Sequence, residues 1–128
     1  MFFNNQFKII QKDTKEFTIK FKKKLFKFNN PKLIGEHQIE NASTAIASIL
    51  QLNEIGFSFS QKVISKGINK TIWPGRLERG RLKNIPVYLD GAHNIDGAVK
   101  LFKYFKKQNK KIWLVLGMLN NKKLYFFL

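Results

Sequence analysis

The chain predicts an α/β fold, and three observations carry that expectation. Residues 17–28 alternate apolar and polar side chains as strands do. Residues 37–54 repeat apolar positions at helical spacing. Residues 85–117 read as strand, helix, strand, with a nearly continuous apolar run at 112–117. The last pattern predicts a parallel crossover unit of right hand.

In the first stretch Phe17, Ile19 and Phe21 share one face, and Thr18, Lys20 and Lys22 share the other. Leu25-Phe26-Lys27-Phe28 follows a lysine cluster, and Asn29-Asn30-Pro31 closes the segment. The expectation is a two-stranded antiparallel ribbon with one wet face. Between residues 37 and 54, Ile39, Ala42, Ile46, Ile49 and Leu50 keep three-four spacing. Alanines at 42, 45 and 47 favour helix and permit close packing, and Gly56 is the stop signal. Ser60 is a good N-cap for a shorter helix to about Asn69, with Val63, Ile64 and Ile68 buried. Thr71-Ile72-Trp73-Pro74-Gly75-Arg76 breaks the pattern, so a domain boundary is placed there, between residues 1–73 and 74–128.

Past the boundary, residues 85–90 read as a strand. Residues 95–108 read as a helix with Ala98, Leu101, Phe102 and Phe105 on its buried face. Residues 112–117, Ile-Trp-Leu-Val-Leu-Gly, suit a strand covered on both faces, as parallel strands are.

Composition narrows the function classes. The 128 residues include no cysteine, which excludes disulfides and thiolate metal sites. The opening residues lack an uninterrupted apolar core, and no apolar run approaches the ~18 residues of a membrane span. The expectation is a soluble, cytoplasmic protein. A net charge of +16 raises the alternative of a basic nucleic-acid-binding module. Of 24 basic residues, however, 21 are lysine and only Arg76, Arg79 and Arg81 are arginine. Lysine, phenylalanine, isoleucine and asparagine all have A/T-only codons, so base bias accounts for the set. Base-reading proteins favour the bidentate arginine fork. A solvated lysine surface that steers an anionic substrate is the preferred reading.

The pentapeptide Asp90-Gly91-Ala92-His93-Asn94 follows the apolar run Ile85–Leu89. Ligands of open parallel sheets sit beyond the carboxyl ends of strands, which is where this acid, histidine and asparagine fall. Asp90 is placed to accept hydrogen bonds from two ribose hydroxyls, with the strand-end cap as its structural alternative. His93 is placed to face phosphate or base. His37 and His93 are the only histidines, and without a carboxylate-rich spacing they do not make a metal site.

Three stretches together resemble the carboxyl-terminal half of the folylpolyglutamate synthases and bifunctional dihydrofolate synthases of the Mur ligase superfamily. They are Leu33-Ile34-Gly35-Glu36-His37-Gln38-Ile39-Glu40-Asn41-Ala42, Trp73-Pro74-Gly75-Arg76-Leu77-Glu78 and Leu89-Asp90-Gly91-Ala92-His93-Asn94. Val115-Leu116-Gly117-Met118 looks like the family strand before a lysine-aspartate pair. Each motif is weak alone, and their order and spacing are specific. Gly91 stands where wall-building Mur ligases usually carry tyrosine, and Gln38 where they tend to have asparagine, which favours the folate branch over a cell-wall Mur ligase fragment.

The resemblance implies the end of a Mur-ligase-type ATPase domain followed by the first βαβ unit of a Rossmann-like carboxyl-terminal domain. It implies an ATP-dependent ligase that adds L-glutamate to folate or dihydropteroate through an acyl phosphate. The partners implied are ATP, glutamate and a folate or dihydropteroate, with magnesium as cofactor and a monomeric full-length enzyme. Carried over by position, Asn41 would bond adenine, Arg76 would reach ribose or phosphates, Asp90 would hold the ribose hydroxyls and His93 would sit beside the nucleotide. His37 and Gln38 are additional candidates for the ATP site. No catalytic residue is assigned. The family's phosphate loop, G-x-x-G-K-[ST], is nowhere in this sequence, and the magnesium ligands belong with it. Lys123 stands where an acid is expected, Ile95 where many relatives have proline, and the tail Leu124–Leu128 looks unlike a family helix. A fragment, inactive by itself, is the expectation.

Overall fold

A computed structural model describes residues 6–119. The chain divides into two compact units, Met1–Trp73 and Pro74–Leu128, which are taken in turn.

The first unit is an antiparallel meander covered by helices. Its strands are β1 (Phe7–Lys12), β2 (Glu16–Phe21) and β3 (Lys24–Asn29), in the order β1-β2-β3. The ribbon expected at residues 17–28 therefore has a third strand, β1, which the alternation from residue 17 onward did not include. Phe7 pairs with Phe21, and the register slips between Ile9 and Gln11. That extra residue is a β-bulge, and it interrupts the period-two pattern by which β1 would be recognised. Asp13 closes the β1–β2 turn by accepting the backbone N–H groups of Lys15 (2.7 Å) and Glu16 (2.9 Å). The β2–β3 turn is only Lys22-Lys23, with Lys22 at φ 53° where glycine or asparagine is the usual choice.

Helix α1 (His37–Glu54) has the expected bounds, and α2 (Gln61–Lys70) starts where expected. Ser60 caps α2 by accepting from the Val63 N–H at 3.3 Å. Gly56, at φ 105°, follows α1, and the Phe57 N–H closes on the Leu52 carbonyl at 3.2 Å. One face of the meander (Phe7, Phe17, Ile19, Phe21, Phe28) packs against one face of α1 (Ile39, Ala42, Ile46, Ala47, Leu50), with Ile64 of α2. Val63 differs from expectation: it is exposed, because the core-facing positions of this short helix are Ile64 and Ile68.

The second unit holds β4 (Glu78–Leu82), β5 (Ile85–Leu89) and α3 (Ile95–Lys106). β4 and β5 form an antiparallel hairpin through the turn Lys83-Asn84, so among the described residues the partner of β5 is antiparallel rather than the parallel neighbour its apolar run suggested. β4 itself, Glu-Arg-Gly-Arg-Leu, has no apolar alternation to announce it. No strand forms at 112–117: Trp113 is 84% exposed and Val115 93% exposed. An apolar run becomes a strand only when a neighbour takes up its backbone groups, and none of the described residues does so. The βαβ unit is therefore present here only as β5 and α3. On α3, Ala98 is buried and Leu101 and Phe105 are half-buried, whereas Phe102 is exposed, contrary to expectation.

The α/β class holds for the chain. No helix among the described residues is long and apolar enough to cross a membrane. The atypical tail, Lys122, Lys123 and the first five residues lie outside the described residues.

Candidate functional site

The candidate residues fall into two constellations, one in each unit.

In the second unit two loops are stitched together. The Gly91 N–H donates to the Gly75 carbonyl at 2.8 Å. Asp90 accepts from the Leu77 N–H at 2.7 Å with Oδ2 and from the Ala92 N–H at 2.8 Å with Oδ1. Glu78 turns back to accept the Gly75 N–H at 2.9 Å. The result is that the Trp-Pro-Gly-Arg-Leu-Glu loop is held against the exit of β5, and Arg76 is the residue between two of its anchored neighbours. Leu77 is the price of the arrangement: it lies at φ 47° yet is only 2% exposed, so its buried side chain and the Asp90 bond hold a conformation that leucine rarely adopts. Gly75, at φ 68°, needs no such compensation.

Asp90 thus takes the strand-end role, with a second lone pair left on each oxygen. The Arg76 side chain is exposed and makes no ion pair with Glu78 among the described residues. His93 Nδ1 lies 2.9 Å from the Gly91 carbonyl, an acceptor only, so Nδ1 carries a proton and donates it. Asn94 caps α3 by accepting the Gly97 N–H at 2.9 Å. Gly97 is required: a Cβ there would lie 2.8 Å from Cβ of Ala92. Together these features present a carboxylate, an imidazole, a guanidinium and a helix N-terminus, the donor and acceptor types that hydroxyls and phosphates need.

Behind this loop pair Tyr88 of β5 meets Tyr104 and Phe105 of α3 edge-on, with ring centroids 6.0 and 5.2 Å away. Arg79 donates to the Tyr104 hydroxyl at 3.1 Å. Burial pushes the Tyr104 phenol up, but the Arg79 hydrogen bond and charge, with Tyr88 and Gln108, outweigh it and hold it below the usual phenol value. This cluster fastens α3 to the hairpin. Of this cluster the sequence reading placed only Phe105 on the apolar face of α3.

In the first unit the candidates share the first turn of α1. Gln38 Nε2 is 2.9 Å from His37 Nε2, and Asn41 Nδ2 donates to Gln38 Oε1 at 3.1 Å. Gln38 is 5% exposed, and Asn41 is exposed. Gly35, at φ 115°, lies beneath the His37 ring, where a Cβ would come within 2.6 Å of Cε1. That explains the glycine two residues before the histidine, a function its sequence position does not reveal. A groove of about 500 Å³ in the same unit, lined by Phe21, Phe26, Leu50 and Phe59, includes none of the candidates. No group of three or more His, Cys, Asp or Glu side chains among the described residues is placed to hold a metal.

The chain is similar to known proteins along most of its length. A dihydrofolate synthase/folylpolyglutamate synthase of Bacillus subtilis is 36% identical over 110 residues, which is 84% of this chain and 25% of that protein. A UDP-N-acetylmuramoyl-L-alanyl-D-glutamate–L-lysine ligase of Streptococcus pneumoniae is 37% identical over 123 residues, 94% of this chain and 24% of that protein. Among solved structures, the folylpolyglutamate synthase of Mycobacterium tuberculosis complexed with ADP and AMPPCP superposes with a TM-score of 0.73 at 25% identity, over 98% of this chain and 29% of that one. The chain spans about a quarter of the length of the curated relatives it matches. No protein-family model matches it.

Proposed function

We propose that this chain, a homologue of the dihydrofolate synthase/folylpolyglutamate synthases and the Mur ligases, carries nucleotide recognition for an ATP-dependent ligase that adds L-glutamate to folate or dihydropteroate. The supporting observation is the stitched loop pair, in which Asp90 anchors Leu77 and Ala92 and thereby fixes the backbone beside Arg76 and His93. In this reading Asp90 accepts from the ribose hydroxyls with its remaining lone pairs. Arg76 meets phosphate oxygens and His93 stands beside them, at the N-terminus of α3. Asn41 in the first unit bonds the adenine, with His37 and Gln38 next to it.

ATP supplies the phosphoryl group that turns a carboxylate into an acyl phosphate, a better electrophile for the glutamate amine. The chain's own residues bind and orient the nucleotide, which is the positioning part of such a reaction. Magnesium belongs with the phosphate-loop residues that this sequence does not contain. Gly91 and Gln38 favour the folate branch over the cell-wall branch. Relatives of both kinds match the chain.

The test is direct binding of a fluorescent ATP analogue to the purified chain, with ligase turnover assayed alongside. Saturable binding is expected, weakened about tenfold or more by Arg76→Ala, as loss of a charge-assisted contact implies. No turnover with ATP, glutamate and a folate is expected from this chain alone. Absence of saturable binding, or binding indifferent to Arg76→Ala and Asp90→Ala, refutes the reading.

A further inference from the structure

We propose that His37 and Gln38 are positioning residues that set which edge of the Asn41 amide meets the base, so that the site selects a purine with a 6-amino group over a 6-oxo purine. The inference rests on the nucleotide reading above and deepens it.

An amide side chain has nearly the same shape in either orientation, so hydrogen bonding alone decides which way it faces. The exposed Asn41 bonds, among the described residues, only to Gln38. Gln38 is buried, so both ends of its amide need protein partners, and it has them in Asn41 and His37. The His37 ring is seated over Gly35, whose missing Cβ leaves the space the ring occupies. The three side chains form a relay with one direction. His37 Nε2 accepts from Gln38 Nε2, Gln38 Oε1 accepts from Asn41 Nδ2, and Asn41 Oδ1 is left as the outward acceptor. An exocyclic amino group donates to that oxygen; a 6-oxo group, itself an acceptor, is repelled by it. Were the proton on His37 Nε2 instead, both amides would turn over and Asn41 would offer its NH₂ group outward. The tautomer of a side chain that need not touch the nucleotide therefore writes the polarity of the one that does.

Two measurements on the whole chain test this. The first is the side-chain ¹⁵N spectrum of the histidines, only two in number, with His37 assigned by its loss in His37→Phe. The Nδ1–H tautomer is expected, and an Nε2–H tautomer overturns the relay. The second is titration with ADP and IDP, which differ at the 6-position. Unmodified chain is expected to prefer ADP about tenfold, and His37→Phe, which keeps a ring but no acceptor, to reduce the ratio to about one. A ratio unchanged in His37→Phe overturns the proposal. If neither nucleotide binds, the nucleotide reading fails and the selectivity with it, while the tautomer still decides the relay. If His37→Phe does not fold, Gln38→Ala serves as the second interruption of the relay, with the same two outcomes.

Discussion

Both carboxylate oxygens of Asp90 accept backbone N–H groups, one from each loop of a pair. A side chain in that position has two consequences when removed. It frees two donors, and it releases a leucine held at φ 47°. Asp90→Ala is therefore expected to cost about 1–3 kcal/mol of stability, measured by urea unfolding. Exchange of the Leu77 and Ala92 amides should rise with it. Asp90→Asn keeps an acceptor and should lose less. An Asp90→Ala chain as stable as the parent would show that these bonds do not hold the loop. Part of this was legible. The acid at a strand exit, the glycine after it and the capping asparagine could all be read in order, because each acts on its immediate neighbours. The partnership of Asp90 with Leu77 could not, since the two are separated by a hairpin whose first strand carries no apolar alternation. The relay of Gln38 and Asn41 follows from three-residue helical spacing once α1 is recognised. The role of Gly35 does not, because it depends on where the His37 ring lies.

At the scale of elements, the β1–β2 turn illustrates a local sequence effect with a pH signature. The backbone N–H groups of Lys15 and then Glu16 hold the Asp13 carboxyl below its ordinary value of 3.8. A folded pKa below the unfolded one means stability that is present above pH 3.8 and lost as pH falls through the folded value. Asp13→Asn should flatten that part of the acid unfolding curve, read by circular dichroism. An acid limb identical in the two proteins would remove the turn from the account. The helices were the most legible elements. α1 is marked by periodicity, by alanines and by Gly56 at its end, and α2 by Ser60 at its start, all of them signals within one or two turns. The strands were less so. β1 is broken by a bulge, and β4 carries a single apolar side chain, Leu82, with no alternation. The run at 112–117 has strand composition without a strand, which needs a hydrogen-bonding neighbour as well as apolar side chains.

At the scale of the molecule, the first unit has one continuous core and the second a smaller aromatic cluster. Phe17 is 1% exposed and touches the ring of Phe28, with centroids 6.0 Å apart. Phe17→Ala is expected to cost about 3–5 kcal/mol, as a deletion with little room to collapse, and to broaden or abolish the unfolding transition of that unit. A loss below about 1 kcal/mol would mean that the meander and α1 do not share a core. By itself the sequence determined the α/β class, the bounds of α1, the start of α2 and the residue types gathered in both candidate constellations, because period, caps and short motifs act over a few residues. Only the tertiary structure decided the third strand of the meander, the antiparallel partner of β5, the anchoring of Leu77 by Asp90 and the seating of His37 over Gly35. Each of these depends on which backbone group or side chain arrives from elsewhere in the chain, and hydrogen bonds and steric contacts of that kind leave no periodic trace in the residues that receive them.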